Sequence, residues 1–287
     1  MPEFERVAVI GCGTMGSGIA QVAAQAGCQV TVVEVDRGRL EAGLDAMRTF
    51  LDGSVVRGKL TEEESACVLQ RVHGTTSLAD LADAQLVIEA VTENSDIKRA
   101  VVAEIGQVVN SDAVLVTNTS ALSVSDLATA SPRPEQFAGL HFFNPVPLMN
   151  VVEVVAALQT SPQVTDRLAA FVTDLGKEPI AVKDRPGFLV NRLLLPYLND
   201  VIQAYDDGLA SAEDLDTAIR LGLGYKQGPL ELLDMIGLDV HEHATRSAYE
   251  ALLDPVYAAP PLLQAMVASG RLGNKNGKGF RNMEADA

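Results

Sequence analysis

A Gly-x-Gly-x-x-Gly run, Gly11-Cys12-Gly13-Thr14-Met15-Gly16, stands directly after the apolar stretch Val7-Ala8-Val9-Ile10. The apolar stretch reads as a buried parallel strand. Residues 17–26 read as a helix ending at Gly27, and Val30-Thr31-Val32-Val33 supplies a second β-branched strand with Glu34 at its end. Alone, the glycine pattern is weak. With a strand before it, a helix after it, a second strand and a terminal acid, it becomes a specific signal for a dinucleotide-binding βαβ unit. The first glycine permits the tight turn, the second lets backbone approach a pyrophosphate, and the third lets helix pack close to strand. The amides at the helix N-terminus then hold the phosphates. The predicted cofactor-binding set is Gly11, Gly13, Thr14, Met15, Gly16 and Glu34. Glu34 is expected to accept hydrogen bonds from the adenine ribose hydroxyls and to repel a 2′-phosphate, which favours NAD over NADP. Asp36 is a rival for that role, and Arg37 and Arg39 leave room for NADP.

Bulk properties narrow the partners. The net charge of −16 leaves no basic surplus to neutralise phosphates, which argues against nucleic acid and anionic membrane. An anionic ligand must be held by a local arrangement. Cys12, Cys28 and Cys67 are an odd count without metal-ligand spacing, as expected of free thiols in a reducing compartment. The start, Met1-Pro2-Glu3-Phe4-Glu5-Arg6, is unlike a signal peptide. The apolar stretch over residues 7–27 is broken by glycines, Thr14, Ser17 and two glutamines, so no membrane span is expected there. A cytoplasmic location follows as the expectation.

Residues 37–58 read as a helix, and Leu60-Thr61-Glu62-Glu63-Glu64 as a cap opening another. An insertion at about 37–72, between the second and third strands, is expected to form a projecting helical arm. Its Arg57 and Lys59, with Arg48, are candidate holders of an anionic substrate group. His73 has no partner pattern and reads as an ordinary histidine. Further strands are expected at 84–90 and 113–117, the latter ending in Asn118-Thr119-Ser120, with a helix between them carrying Lys98. Two strand-like runs at 137–143 and 149–155, a helix at 162–176 and a strand at 179–182 complete the sheet. Beyond Pro186-Gly187 the periodicity is helical throughout. The expected architecture is an α/β Rossmann-type N-terminal domain, residues 1–185, followed by an all-α C-terminal domain, residues 186–287.

The stretch over residues 139–155 carries the chemistry. His141 ends one apolar run and Glu153 lies inside the next, across a turn with Pro145 and Pro147. Both are costly to bury unless they satisfy each other or a ligand. If the runs pair as an antiparallel hairpin, His141 and Glu153 become neighbours. A base with pKa near working pH, held by a carboxylate, is the functional reading; a purely structural buried hydrogen bond is the other.

The chain as a whole resembles the L-3-hydroxyacyl-CoA dehydrogenase family. The resemblance rests on the glycine run, the segment from Glu89 to Lys98, Asn118-Thr119-Ser120, the segment from His141 to Glu153, Pro186-Gly187-Phe188-Leu189-Val190-Asn191-Arg192, Gly228-Pro229 and Gly277-Lys278-Gly279-Phe280. It implies that His141 is the general base removing the substrate 3-hydroxyl proton, that Glu153 orients it, and that Ser120 and Asn191 hydrogen-bond the substrate. It implies cofactor contacts at Glu93, Lys98, Ser120, Asn144 and Lys275, and a homodimer formed through the C-terminal domain. The chain departs from the family at Asn150, where members often have lysine, in an arm diluted by Asp45 and Asp52, and at Tyr225-Lys226-Gln227 before Gly228. The expected reaction is therefore NAD-dependent interconversion of a short-chain (S)-3-hydroxyacyl-CoA, such as 3-hydroxybutyryl-CoA, and its 3-ketoacyl-CoA. The same chemistry on a dicarboxylic, carrier-bound or free sugar-acid substrate such as gulonate is the alternative. A non-catalytic structural relative is disfavoured by the joint presence of Ser120, His141, Glu153 and Asn191.

Overall fold

The computed structural model describes residues 2–281. They divide into two compact units, residues 2–185 and 186–281. The first contains β1 (Arg6–Ile10), α1 (Thr14–Gln25), β2 (Gln29–Val33), α2 (Arg37–Val56), α3 (Glu62–Gln70), β3 (Val72–Thr75), β4 (Leu86–Glu89), α4 (Ser95–Val108), β5 (Val114–Thr117), α5 (Val124–Ala128), β6 (Phe137–Phe142), β7 (Val151–Ala156), α6 (Pro162–Asp174) and β8 (Glu178–Lys183).

The strands form one eight-stranded sheet in the order β3-β2-β1-β4-β5-β6-β7-β8. The first six are parallel. β7 returns antiparallel to β6, and β8 runs with β7. The doubly wound 3-2-1-4-5-6 order makes the carboxyl ends of β1, β2, β4 and β5 share one edge, where open α/β sheets bind ligands. The register is direct: Ile10 pairs with Val33 and Glu89, and Glu89 pairs with Thr117. β4, β5 and β6 are buried at every residue, as continuous apolar runs flanked by other strands should be.

One expectation is corrected. Val72-His73-Gly74-Thr75 is a strand, with His73 exposed on it. It is an edge strand without apolar alternation, and it pairs only with β2. Gly74 lets Leu40 and Leu44 close over it, since an added Cβ would lie 3.1 Å from each. Leu40, Met47 and Leu51 of α2 are in the core. Gly43 packs on the glycine loop so closely that a Cβ would lie 2.0 Å from the Cys12 carbonyl oxygen.

The second unit is helical: α7 (Val190–Asp206), α8 (Ala212–Leu223), α9 (Pro229–Ile236), α10 (Leu238–Leu252) and α11 (Pro261–Ala268). Leu198, Ile202, Leu230, Leu233, Leu238, Leu263, Met266 and Phe280 form its core. Asp216 on α8 caps α9, accepting from the amides of Leu230 at 2.7 Å and Glu231 at 3.1 Å. Asp234 accepts from the amide of Phe280 at 2.9 Å, which ties the Gly277-Lys278-Gly279-Phe280 segment to α9.

Inside this unit lies a buried polar network. His241 Nε2 meets Asn199 Oδ1 at 3.0 Å, and Asn199 Nδ2 donates to Thr245 Oγ1 at 2.7 Å. Burial pushes the His241 imidazole down from 6.5 to about 4. The unfolded chain therefore binds a proton that the folded chain refuses, and stability falls as pH drops from 6.5 towards 4. By linkage the loss is about 3 kcal/mol between about pH 7 and pH 4. Denaturant unfolding at the two pH values measures it. His241→Gln, which cannot titrate, should show a correspondingly smaller drop.

Candidate active site

The glycine loop is shaped for a ligand that approaches its backbone. Gly11 has φ +95°, and a Cβ there would lie 2.7 Å from the Ala90 carbonyl oxygen. At Gly16 a Cβ would lie 1.9 Å from the Gly11 carbonyl oxygen, so only glycine permits this packing. Gly13 faces open space, with nothing within 4 Å of where a side chain would begin. Gly13 is also the N-cap of α1 and supplies no side-chain cap, and the first turn holds no acid. By contrast Asp36, Thr61, Asn94, Ser123 and Ser211 cap α2, α3, α4, α5 and α8 with their side chains. The uncapped N-terminus keeps its partial positive charge for a phosphate.

A cavity of 730 Å³ opens over this loop, lined among others by Gly11, Gly13, Glu34, Phe50, Val91 and Asn144. Glu34 accepts from the amides of Cys12 at 2.9 Å and Val35 at 2.8 Å, which fixes its carboxylate at the end of β2. A loop that tolerates no Cβ where it packs, room over Gly13, bare helix amides and a fixed acid are what a dinucleotide needs. NAD fits these residues. Thr14 and Met15 contribute first-turn amides of α1. Burial and the Glu34 charge push the Cys12 thiol up to about 11, so it is not a reactive group at neutral pH.

On the same sheet edge, Glu93 organises the loop after β5. It accepts from Thr119 Oγ1 at 2.5 Å and from the amides of Ser120 at 2.9 Å and Ala121 at 3.2 Å. Ser120 Oγ lies 3.4 Å from the same oxygen. Burial pushes the Glu93 carboxyl up, but the Lys98 ammonium and the Thr119 and Ser120 donors outweigh it and hold it below the usual glutamate range. Lys98 is 1% exposed. Its ammonium meets Glu89 at 2.7 Å, Glu93 at 3.3 Å and the Val91 carbonyl at 3.3 Å. Those three acceptors match the three N–H donors of an ammonium. Lys98 thus ties together the loops that carry Glu93 and Ser120.

His141 and Glu153 are directly opposite in the β6–β7 pair. His141 Nδ1 lies 2.7 Å from Glu153 Oε2, with both residues buried. The Phe143 ring packs on the imidazole, centroids 4.6 Å apart. Asn118 Oδ1 accepts from the Phe142 amide at 2.9 Å, tying the end of β6 to the loop that bears Ser120. Asn144 follows on the exposed turn and lines the cavity.

Other predicted residues lie elsewhere. The lining contributed by α2 ends at Phe50, whereas Arg57 and Lys59 are exposed beyond its C-terminal end, Arg57 donating to Ser54 Oγ at 3.4 Å. In the second unit, Asn191 stands in the first turn of α7, and Lys275 pairs with Asp239 at 2.7 Å. Lys226 is exposed between α8 and α9. Three contributors had no role from sequence alone. Glu89 holds Lys98 from inside the sheet and is itself held by Thr117, whose Oγ1 donates to Glu89 at 2.6 Å. Lys177, just beyond α6, donates to the carbonyls of Val146 at 2.8 Å and Met149 at 2.6 Å, and so clamps the turn after Asn144. Burial pushes its ammonium down.

Comparison with known proteins decides the family. Residues 6–185 match the model of the 3-hydroxyacyl-CoA dehydrogenase NAD binding domain, and residues 187–283 match that of the 3-hydroxyacyl-CoA dehydrogenase C-terminal domain. The chain belongs to the 3-hydroxyacyl-CoA dehydrogenase family. It is accordingly an NAD-dependent oxidoreductase with a Rossmann-type domain and a helical C-terminal domain. A 3-hydroxybutyryl-CoA dehydrogenase of Mycobacterium tuberculosis is 44% identical over 96% of this chain and 98% of its own length. The crystal structure of (S)-3-hydroxybutyryl-CoA dehydrogenase PaaH1 from Ralstonia eutropha is 40% identical, with a TM-score of 0.92, covering 96% of this chain and 98% of that one. A 3-hydroxyadipyl-CoA dehydrogenase of Escherichia coli is 40% identical over the whole of this chain and 60% of its own length. Among the described residues no helix is long and apolar enough to cross a membrane.

Proposed function

We propose that this family member interconverts a short-chain (S)-3-hydroxyacyl-CoA, such as 3-hydroxybutyryl-CoA, and its 3-ketoacyl-CoA, with His141 and Glu153 as the acid/base pair. The observation that carries this reading is the buried 2.7 Å contact between His141 Nδ1 and Glu153 on the sheet edge that bears the dinucleotide cavity. NAD, held by the Gly11–Gly16 loop and Glu34, would supply the acceptor for the hydride that leaves the hydroxyl-bearing carbon. His141 takes the hydroxyl proton at Nε2, because Nδ1 is engaged with Glu153, and returns it in the reverse direction. Glu153 fixes the imidazole tautomer and stabilises the imidazolium that forms. Ser120, fixed through Glu93, and Asn191 hydrogen-bond the substrate oxygens. Arg57 and Lys59 are proposed to meet the anionic part of coenzyme A, their exposure leaving them available.

The protein is proposed to work as a cytoplasmic homodimer joined through the helical unit. Exposed Leu193, Leu221, Leu223 and Met235 on that unit support the dimer, and free cysteines support the reducing compartment.

Oxidation of NADH by acetoacetyl-CoA, followed by absorbance, tests the reading. Turnover is expected with NADH well above that with NADPH, since Glu34 opposes a 2′-phosphate. The likeness to a 3-hydroxyadipyl-CoA dehydrogenase makes 3-oxoadipyl-CoA the necessary competitor. A kcat/KM higher for that dicarboxylic substrate, and lowered by Lys226→Met, would replace the short-chain assignment. Absence of turnover with any acyl-CoA would overturn the reading.

A further inference from the structure

Helix α7 carries a proline inside it, Pro196. A proline has no N–H, so the carbonyl four residues earlier loses its helical donor. That carbonyl belongs to Arg192, one residue past Asn191. A replacement comes from outside the helix: Tyr257 Oη donates to the Arg192 carbonyl at 3.0 Å. On the other side of the same residue, the Arg192 amide donates to the Gly187 carbonyl at 2.9 Å, where Gly187 has φ +75°. The residue after Asn191 is thus pinned through both its backbone groups.

The donor is itself rigidly held. Tyr257 is buried, packing with Leu195 and Ala248. Its carbonyl accepts from Thr245 Oγ1 at 2.8 Å, and Thr245 Oγ1 in turn accepts from Asn199 Nδ2. Asn199 lies one turn beyond Pro196 on the same helix. The network leaves α7 at Asn199, passes through α10 and the Tyr257 segment, and returns to α7 at Arg192. It bridges the turn that Pro196 leaves open.

We propose that Tyr257 is a positioning residue for the reaction: its hydroxyl replaces the hydrogen bond removed by Pro196 and so fixes the first turn of α7, from which Asn191 meets the substrate. The assignment of Asn191 rests on the function proposed above. A displaced polar contact in a reacting complex lowers turnover steeply, by up to roughly a hundredfold for about 1 Å.

The test is a cycle of Tyr257→Phe, Pro196→Ala and the double variant in the full-length protein. Tyr257→Phe keeps the ring and its packing but removes the donor. Pro196→Ala supplies a backbone N–H to the Arg192 carbonyl. With acetoacetyl-CoA and NADH, Tyr257→Phe is expected to lower kcat by roughly tenfold with KM for NADH unchanged. Pro196→Ala alone is expected to stay near the parent, and the double variant to recover most of the lost kcat. Amide hydrogen exchange over residues 189–195 is read alongside and depends on no activity. It should quicken in Tyr257→Phe, return towards the parent in the double variant, and stay unchanged in the first unit. If the parent turns over no acyl-CoA, the functional reading fails and exchange alone decides whether Tyr257 fixes the helix. An unchanged kcat in Tyr257→Phe, a double variant no better than the single, or unaltered exchange at 189–195 would overturn the proposal.

Discussion

Lys98→Met is expected to destabilise the first unit by about 3 kcal/mol or more, the range for removing one partner of a buried ion pair. Lys98 and Glu89 have side-chain exposures of 1% and 2%, so water cannot replace the lost ammonium. Methionine roughly preserves the volume, which leaves the stranded charge on Glu89 as the main effect. The Thr117 hydroxyl at 2.6 Å and the Val91 amide at 2.7 Å continue to donate to Glu89, which keeps the loss towards the lower end. Glu93 loses the cation that offsets its burial, and with it the firm grip on Ser120. Denaturant unfolding measures the first effect. Adding Glu89→Gln to Lys98→Met removes the stranded charge, and is expected to recover part of the stability but not the turnover, because Glu93 remains unpaired. A single variant as stable as the parent would show that the ammonium is not what neutralises Glu89.

Local features of the chain were legible wherever the chemistry is local. The glycine run predicted its strand, turn and helix because close packing at Gly11 and Gly16 is a backbone property of those residues themselves. The His141–Glu153 contact was legible for a related reason: a hairpin pairs residues at a fixed sum of positions, so apolar runs on either side of a turn set the register. β3 was not legible, because its support is tertiary. A glycine-containing edge strand is held by β2 beside it and by Leu40 and Leu44 above it, none of which its own four residues reveal. The helices at 37–72 suggested an arm because of the size of the insertion between two strands, while Leu40, Met47 and Leu51 recur at a spacing that only the packed structure shows to be a core face.

The site divides the same way. Ser120, His141 and Glu153 could be named from family motifs, but Glu89, Thr117 and Lys177 could not. Each of these acts through a partner on another element: Glu89 through a lysine on α4, Thr117 through Glu89 on the neighbouring strand, and Lys177 through carbonyls 31 and 28 residues earlier. Lys98 was placed in the right neighbourhood, but its ion pairs with Glu89 and Glu93 were not legible, because both carboxylates come from outside its own helix.

The second large effect concerns His141 itself. Glutamine at this position preserves much of the bulk and the polarity but cannot take a proton at neutral pH. General-base catalysis by a positioned side chain contributes about 10²–10⁴-fold, and His141→Gln is expected to lose most of it. The Gly11–Gly16 loop and Glu34 are untouched, so NADH should bind with its parental affinity. Glu153→Gln should be milder than His141→Gln, since the imidazole survives and loses only the group that fixes its tautomer and balances its charge.

The most direct test of the acid/base assignment is therefore the rate of NADH oxidation by acetoacetyl-CoA in His141→Gln at saturating cofactor, with NADH affinity measured by fluorescence on the same sample. The expected result is a kcat lowered by at least about two orders of magnitude beside an unchanged NADH dissociation constant. A kcat within a few-fold of the parent would contradict the role given to His141.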